Sequence, residues 1–243
     1  MARKSKKKPN VIGVKAAVAK LDQMMPILER NIIGALMVEA TLEAGNDTIR
    51  DLPDKDFPGA VAYNQIWRSL GFDLAMHLAR LFDKGSRNFH ANDKDAASIP
   101  LMIRLTRQKR CRRALAARMR NSDPALGSDF AAIFEKDCLD ALDRASAAYT
   151  GIFRGKFGQT GLKQLKVARD HHFAHSLMTG REPNLIYNQL FRLTDCARNI
   201  LDAASVAITG SSFELVEREE DFREQAEAFW NKALLGKDGE DLD

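Results

Sequence analysis

The stretch IYNQLFRLTDCARNILDAASVAI, residues 186–208, is strongly periodic. Its apolar residues recur at steps of three and four, which is the spacing of one face of an α-helix. They are Ile186, Leu190, Leu193, Ala197, Ile200, Leu201, Ala204 and Ile208. The pattern predicts an amphipathic helix over about residues 184–208, whose apolar side must pack against other helices to be stable.

The same spacing extends along most of the chain. It predicts further helices at about 11–44, 60–83, 98–120, 128–154, 162–178 and 217–235. The segment EAGNDT (43–48) is expected to end the first helix, and GKFGQTG (155–161) to form a turn. No stretch alternates like a strand between hairpin turns. The sequence therefore predicts an all-α fold, a single-domain bundle of six to seven helices.

Composition limits the domain organisation. The chain has 243 residues, 45% hydrophobic and 29% charged, which is typical of a folded globular protein and not of a disordered one. Four lysines make residues 1–10 a flexible basic arm, and the last residues are acidic. We therefore expect an arm at 1–10, a helical domain at 11–235 and an acidic tail at 236–243.

The cysteines and the hydropathy pattern indicate in which cellular compartment the protein is located. Cys111, Cys138 and Cys196 are far apart in sequence, and such a sparse, odd set argues against a disulfide framework or a cysteine zinc site. No secretory segment and no apolar run of membrane length are found. We expect a cytoplasmic protein without a membrane partner.

The segment KVARDHHFAHSL, residues 166–177, contains three of the five histidines. Its polar residues fit the solvated side of a helix in a bundle. They also fit a metal site, because His171 and His175 lie one helical turn apart on the same face. However, His172 stands where a zinc-binding HExxH helix has glutamate, and no third ligand is evident, so no cofactor is predicted.

A third interpretation pairs Arg169 with His175. Six residues along a helix correspond to a rise of about 9 Å, an offset that a long arginine side chain can span. An imidazole moves protons near neutral pH, and a guanidinium binds phosphate and offsets the charge that develops on its oxygens. These are the groups that a metal-free ribonuclease requires. The sequence has no GxSxG motif and no phosphate-binding glycine loop.

The segment RDHHFAH (169–175) resembles the Arg-polar-x(3 to 5)-His signature of HEPN proteins (higher eukaryotes and prokaryotes nucleotide-binding domains). More closely, it is similar to the RDKxxAH segment of the AbiU-type, abortive-infection HEPN-like family. The upstream helix LAMHLARLFD (74–83) is similar to that family's element ending in Arg-Leu-x-Asp. The resemblance implies an HEPN-like helical fold along most of the chain.

The resemblance also implies roles for individual residues. Arg169 and His175 match the signature pair and are the catalytic candidates, with Asp170 orienting one of them. Arg80 and Asp83 match the upstream element and are expected near the motif helix. His171 stands where the family often has lysine, so it and His172 are accessory candidates. Many such proteins are homodimeric toxin or phage-defence ribonucleases, some of them held by an antitoxin, and others have lost activity and only bind RNA or a partner protein.

The predicted helix at 98–120 is rich in arginine and carries no acidic residue. One interpretation pairs its arginines with the acidic segment 214–227. The other is an RNA-tracking surface, for which Arg110 and Arg113 are candidates. The sequence does not decide between intramolecular pairing and an RNA-binding surface. RNA is the expected partner if the helix forms such a surface.

Overall fold

The computed structural model describes residues 12–52, 57, 59–85, 96–122, 127–154, 156–168 and 186–236. Within these ranges it is all-α, as predicted, and contains no strand. The eight α-helices exceed the predicted six to seven, and a π-helical turn, Asn231–Leu235, follows the last one. They are α1 (Val14–Arg50), α2 (Ala60–Leu81), α3 (Ile99–Thr106), α4 (Lys109–Arg120), α5 (Ser128–Ile152), α6 (Lys156–Ala168), α7 (Tyr187–Thr209) and α8 (Leu215–Trp230).

Helix α7 lies at the centre of the bundle and packs against α1, α2, α4, α5 and α6. Seven of the eight apolar residues of the predicted stripe are buried, and the exception is Ile186, which precedes the helix and is 39% exposed. The buried hydroxyl of Thr194 donates to the carbonyl oxygen of Leu190, so this polar group is satisfied within the helix. The periodicity therefore identified the central helix correctly.

Helix α1 is longer than predicted, because it continues through EAGNDT to Arg50. The cause is tertiary packing against α8. Gly45 lies under the Trp230 indole, where an added Cβ would come within 2.9 Å of two ring atoms, and Trp230 Nε1 donates to the carbonyl oxygen of Thr41 at 2.8 Å. The contact with α8 thus overrides the weak helix propensity of Gly45 and Asn46. Pro26 lies inside the helix without ending it.

The helix predicted at 98–120 is two helices, α3 and α4, separated at Arg107 and Gln108. Gln108 has an extended backbone and precedes α4. Arg107 is fixed on α5 by hydrogen bonds to the Ser146 hydroxyl and carbonyl oxygen and to the Thr150 hydroxyl. No glycine or proline stands at this break, so no local pattern predicts it.

Helix α6 begins at Lys156, within the segment predicted as a turn. Its glycines serve close packing. An added Cβ at Gly158 would collide with the carbonyl oxygen of Ile152, and one at Gly161 would lie 3.2 Å from Leu193 Cδ1. Glycine therefore lets α6 approach the end of α5 and the side of α7.

Two further expectations concern the ends of the chain and the membrane. The predicted basic arm, and the acidic tail beyond Gly236, lie outside the described residues. None of the helices in the ranges given above is long and apolar enough to cross a bilayer.

Candidate functional site

The residues of the sequence-predicted site fall into two groups. Arg169, Asp170, His171, His172 and His175 lie outside the described residues. Arg80 and Asp83 at the end of α2, and Arg110 and Arg113 on α4, lie within them. In the described part of the chain, no group of three or more His, Cys, Asp or Glu side chains is arranged to hold a metal ion.

The end of α2 faces α6 across a cleft with a volume of about 620 Å³. This volume is within the range of small-molecule pockets, about 300–1,000 Å³. Asp83 lines the cleft on the α2 side, and α6 ends at Ala168, directly before Arg169 in sequence. The other lining residues are Ala79, Phe82, Lys84, Gly85, Phe153, Gln159, Leu162, Lys163, Leu165 and Lys166.

The local fold after α2 positions two charged side chains at the cleft. Asp83 Oδ1 accepts a hydrogen bond from the Gly85 amide at 2.8 Å, and Gly85 has a positive φ of 62°, which glycine adopts without strain. This tight turn presents Lys84, whose ammonium lies 5.0 Å from the centre of the Phe153 ring. That distance is within the range of a cation–π interaction.

The charge of the cleft is positive. Lys84, Lys163 and Lys166 are exposed lysines on its wall, and Asp83 is the acidic residue among the described lining residues. Lys163 and Lys166 are three apart on α6 and therefore project from neighbouring positions on one face. Ala79, Phe82, Leu162 and Leu165 add an apolar surface. The arrangement can attract an anion and also cover an apolar group.

Arg80 and the arginines of α4 do not line this cleft. Arg80 is exposed in the last turn of α2, and the described lining residues come from α2, α6 and the segments that follow α2 and α5. Arg110 and Arg113 are exposed on α4. The structure therefore brings Asp83 to α6 and leaves Arg110 and Arg113 on another part of the bundle.

The proposed pairing of the basic helix with residues 214–227 is wrong for three of its arginines. Arg112 contacts both carboxylate oxygens of Asp143 at 2.9 Å, and Arg120 contacts Glu135 at 3.1 Å. Arg118 contacts Asp22 at 2.9 Å. These partners lie on α5 and α1, because α4 packs against those helices, whereas α8 packs mainly against α1.

A larger cavity of about 1070 Å³ lies between α1, α4, α5 and the segment after α7. Arg118, Asp22 and Cys138 are among its lining residues, and none of the sequence-predicted site residues is. The Cys138 thiol donates to the carbonyl oxygen of Ala207, and burial raises its pKa to about 11. A thiol in that state is protonated at neutral pH and is a poor nucleophile.

His77 on α2 is a packing residue. Its ring lies over Gly34 of α1, where an added Cβ would approach Nδ1 to 3.0 Å and other ring atoms more closely. Its Nδ1 is buried without a hydrogen-bond partner among the described residues, and burial lowers its pKa. The histidine therefore contributes to the α1–α2 contact.

Sequence reasoning missed most of the cleft residues. Lys84 directly follows the element that ends at Asp83, and Lys163 and Lys166 precede the motif on its own helix. Their proximity in sequence to the two motif segments was the available signal. Because 155–161 was predicted as a turn, the approach of α6 to α5 and α2 was not anticipated.

A family model for AbiU2, a HEPN family, matches residues 20–229 of the chain. No curated protein and no solved structure matches it. The match includes every helix from the first turns of α1 nearly to the end of α8, and both segments that carry the resemblance.

Proposed function

Because the chain belongs to the AbiU2 family of HEPN proteins, we propose that it is a metal-independent endoribonuclease of the toxin or phage-defence type. The observation that carries the proposal is the cleft between the end of α2 and α6. Asp83 belongs to one motif segment, and α6 leads directly into the other at Arg169. The end of one motif segment thus lies on the same positively charged cleft as the helix that precedes the other in sequence.

In the proposed reaction, His175 takes the proton from a ribose 2′-hydroxyl as its oxygen attacks the adjacent phosphorus. The P–O5′ bond breaks, the leaving 5′-oxygen takes up a proton, and the products carry a 2′,3′-cyclic phosphate and a 5′-hydroxyl. Arg169 binds the phosphate and offsets the charge that grows on its oxygens. Asp170 orients one of these two side chains, and His171 and His172 are accessory groups.

The proposal also covers a second RNA-binding surface on α4, the oligomeric state of the protein and its regulatory partner. Arg110 and Arg113, exposed on α4, are proposed to bind RNA phosphates away from the cleft. We propose a homodimer, a cytoplasmic location and an antitoxin protein as a possible regulator. The domain is proposed to span 11–235, with the basic arm before it and the acidic tail after it. Three free cysteines, two of them buried, fit a reducing compartment.

The test is cleavage of a mixed RNA pool in EDTA by the wild type, Arg169→Ala and His175→Ala. General acid–base catalysis by His175 contributes about 10²–10⁴-fold, and stabilisation of the developing charge by Arg169 about 10²–10³-fold, so each variant should lose at least about 100-fold in rate. Arg50→Ala is the matched control, because this arginine is exposed at the far end of α1 and pairs with Asp47. Its rate should equal that of the wild type.

Two results would contradict the proposal. Equal cleavage by all the proteins would point to a contaminating nuclease. RNA binding without cleavage by the wild type would replace the proposed enzyme with a catalytically inactive HEPN-like module that binds RNA or a partner protein.

A further inference from the structure

A second concave site lies between α1, α2, α7 and α8, and none of the described residues assigned to the proposed ribonuclease lines it. Its volume of about 650 Å³ is within the range of small-molecule pockets, about 300–1,000 Å³. We call it the acidic pocket, because its described charged residues are three carboxylates and one guanidinium. They are Glu43, Asp47, Glu227 and Arg223.

One wall of the acidic pocket is aromatic and is formed by Trp67, Tyr187 and Phe191. The Trp67 and Tyr187 rings are centred 5.4 Å apart and inclined at 51°, and the Tyr187 and Phe191 rings are centred 6.3 Å apart. The Tyr187 hydroxyl lies over Gly71 of α2, where an added Cβ would come within 2.6 Å of it, so glycine lets the ring approach this helix. Inclined aromatic rings around a cavity favour a cation, because each ring face is electronegative.

The carboxylates of the pocket stand on two helices. Glu43 and Asp47 are four residues apart on α1, so they are neighbours on one face with a rise of about 6 Å between them, and Glu227 is on α8. Burial raises the pKa of Glu43, and the charge of Arg223 opposes this rise. Asp47 contacts Arg50 at 3.1 Å, but both side chains are exposed, and such pairs contribute little. The pocket therefore carries an excess of negative charge.

The row of carboxyl groups on α1 continues into the protein at Glu39, one turn from Glu43 on the same face. Glu39 is 9% exposed, and its Oε2 has no hydrogen-bond partner among the described residues. A buried polar atom without a partner is rare in a folded protein and marks a position at which a partner is missing. The missing partner and the excess negative charge thus occur on the same face of α1.

We propose that the acidic pocket binds an aliphatic polyamine. Its ammonium groups pair with Glu43, Asp47 and Glu227, and its methylene chain lies against Trp67 and Tyr187. In polyamines such as spermidine, three or four methylenes separate neighbouring ammonium groups, which is about the rise of one helical turn. A metal ion would leave the aromatic wall unused, and a lysine side chain of a partner protein would supply a single ammonium group. The inference does not depend on the proposed ribonuclease function.

The test is isothermal titration calorimetry of the full chain with spermidine at physiological ionic strength, which screens weak surface attraction. The wild type is compared with Glu43→Gln/Glu227→Gln. The matched control is Asp129→Asn/Asp221→Asn, which removes the same number of charges at two exposed carboxylates outside the pocket lining. Melting temperatures of the three proteins check that all of them are folded.

We expect spermidine to bind the wild type with one-to-one stoichiometry and the glutamine variant at least about 10-fold more weakly, because hydrogen bonds between charged groups are the strong ones. The control variant should bind like the wild type. Butylamine has one ammonium group, as a lysine side chain does, and should bind at least about 10-fold more weakly than spermidine. Spermidine should also change the intrinsic fluorescence, and Trp67→Phe should remove this change, since the other tryptophan, Trp230, is buried.

The absence of spermidine binding by the wild type, or equal affinity of the glutamine variant and the control, would overturn the inference. Equal affinity for butylamine would also overturn it and would assign the pocket to a lysine side chain of a partner protein. Displacement of spermidine by Mg²⁺ at the same concentration would show attraction of charge alone and not a polyamine site. A fluorescence change that persists in Trp67→Phe would contradict the aromatic contact.

Discussion

Glu39 on α1 is a buried carboxyl group in the contact with α7. It is 9% exposed, and its Oε2 has no hydrogen-bond partner in the part of the chain that the structure describes. Burial raises its pKa to about 8, with Glu43 and Asp195 adding to the rise, while a hydrogen bond with Thr194 and the charge of Arg198 oppose it. Arg198 is engaged with Glu219 and Asp195. Glu39 is therefore protonated in the folded protein at neutral pH.

We predict that Glu39→Gln stabilises the protein, and more at pH 8 than at pH 5. From about pH 4.5 to about pH 8 the unfolded chain ionises Glu39 while the folded protein keeps it protonated, so stability falls as the pH rises. Glutamine is neutral throughout and removes this loss, which at about 1.4 kcal/mol per pKa unit is on the order of 4 kcal/mol at pH 8.

Urea unfolding at the two pH values measures the effect, with exposed Glu220→Gln as the control. A gain in stability that is the same at both pH values would contradict the assignment of a neutral Glu39.

At the scale of elements, the contact between α1 and α2 depends on Gly34 and His77. The imidazole occupies the space that any side chain at position 34 would need. We predict that Gly34→Ala lowers the free energy of unfolding by about 1–3 kcal/mol, which is typical of overpacking. His77→Ala in the same chain should relieve the overlap, so the double variant should be more stable than the two single changes predict by addition.

Thermal or urea unfolding of the four proteins of this cycle gives the coupling energy. Additive effects of the two changes would show that the close contact between Gly34 and His77 does not set the spacing of the helices.

Helix boundaries separate what the sequence could predict from what it could not. Residues 186–208 form one apolar stripe that fits an ideal helix, and almost all of it is buried. The end of α1 depends on Trp230, which is remote in sequence, and the break after Thr106 depends on hydrogen bonds to α5. A local pattern contains no information about such partners, so these boundaries were wrong although the residues on either side of them are helical as predicted.

At the scale of the whole molecule, the arginines of the basic helix α4 fall into two groups that differ in exposure. Arg112 and Arg118 connect α4 to α5 and α1, and Arg110 and Arg113 are exposed. The sequence showed the charge but not this division, because helix partners are set by the packing of the bundle.

We predict that Arg113→Ala weakens RNA binding uniformly across sequences and lowers the salt dependence, with an unchanged melting temperature. Arg112→Ala should instead cost up to about 1 kcal/mol of stability through the loss of the Asp143 pair. Anisotropy titration and thermal unfolding of both variants separate the two effects. Equal RNA affinity of Arg113→Ala and the wild type would remove this helix from the RNA surface.

One residue of the cleft beside α6, Asp83, was named from the sequence. The two motif segments were chosen by resemblance, and Asp83 does lie on a cleft with the helix that leads to Arg169. Arg80 does not line that cleft, and the lysines that do were not anticipated, since exposed lysines on a helix have no distinguishing pattern until the opposing wall is known. The roles of Arg169, Asp170 and His175 stay predictions.

The chemistry of the new RNA ends tests most directly whether Arg169 and His175 cleave RNA without a metal ion. The wild type, incubated with RNA in EDTA, should produce 2′,3′-cyclic phosphate and 5′-hydroxyl ends, and His175→Ala should produce them at least about 100-fold more slowly. Replacing the 2′-hydroxyl at the cut position by hydrogen should abolish cleavage there. Cleavage that requires an added divalent metal ion, or that leaves 3′-hydroxyl ends, would contradict the account.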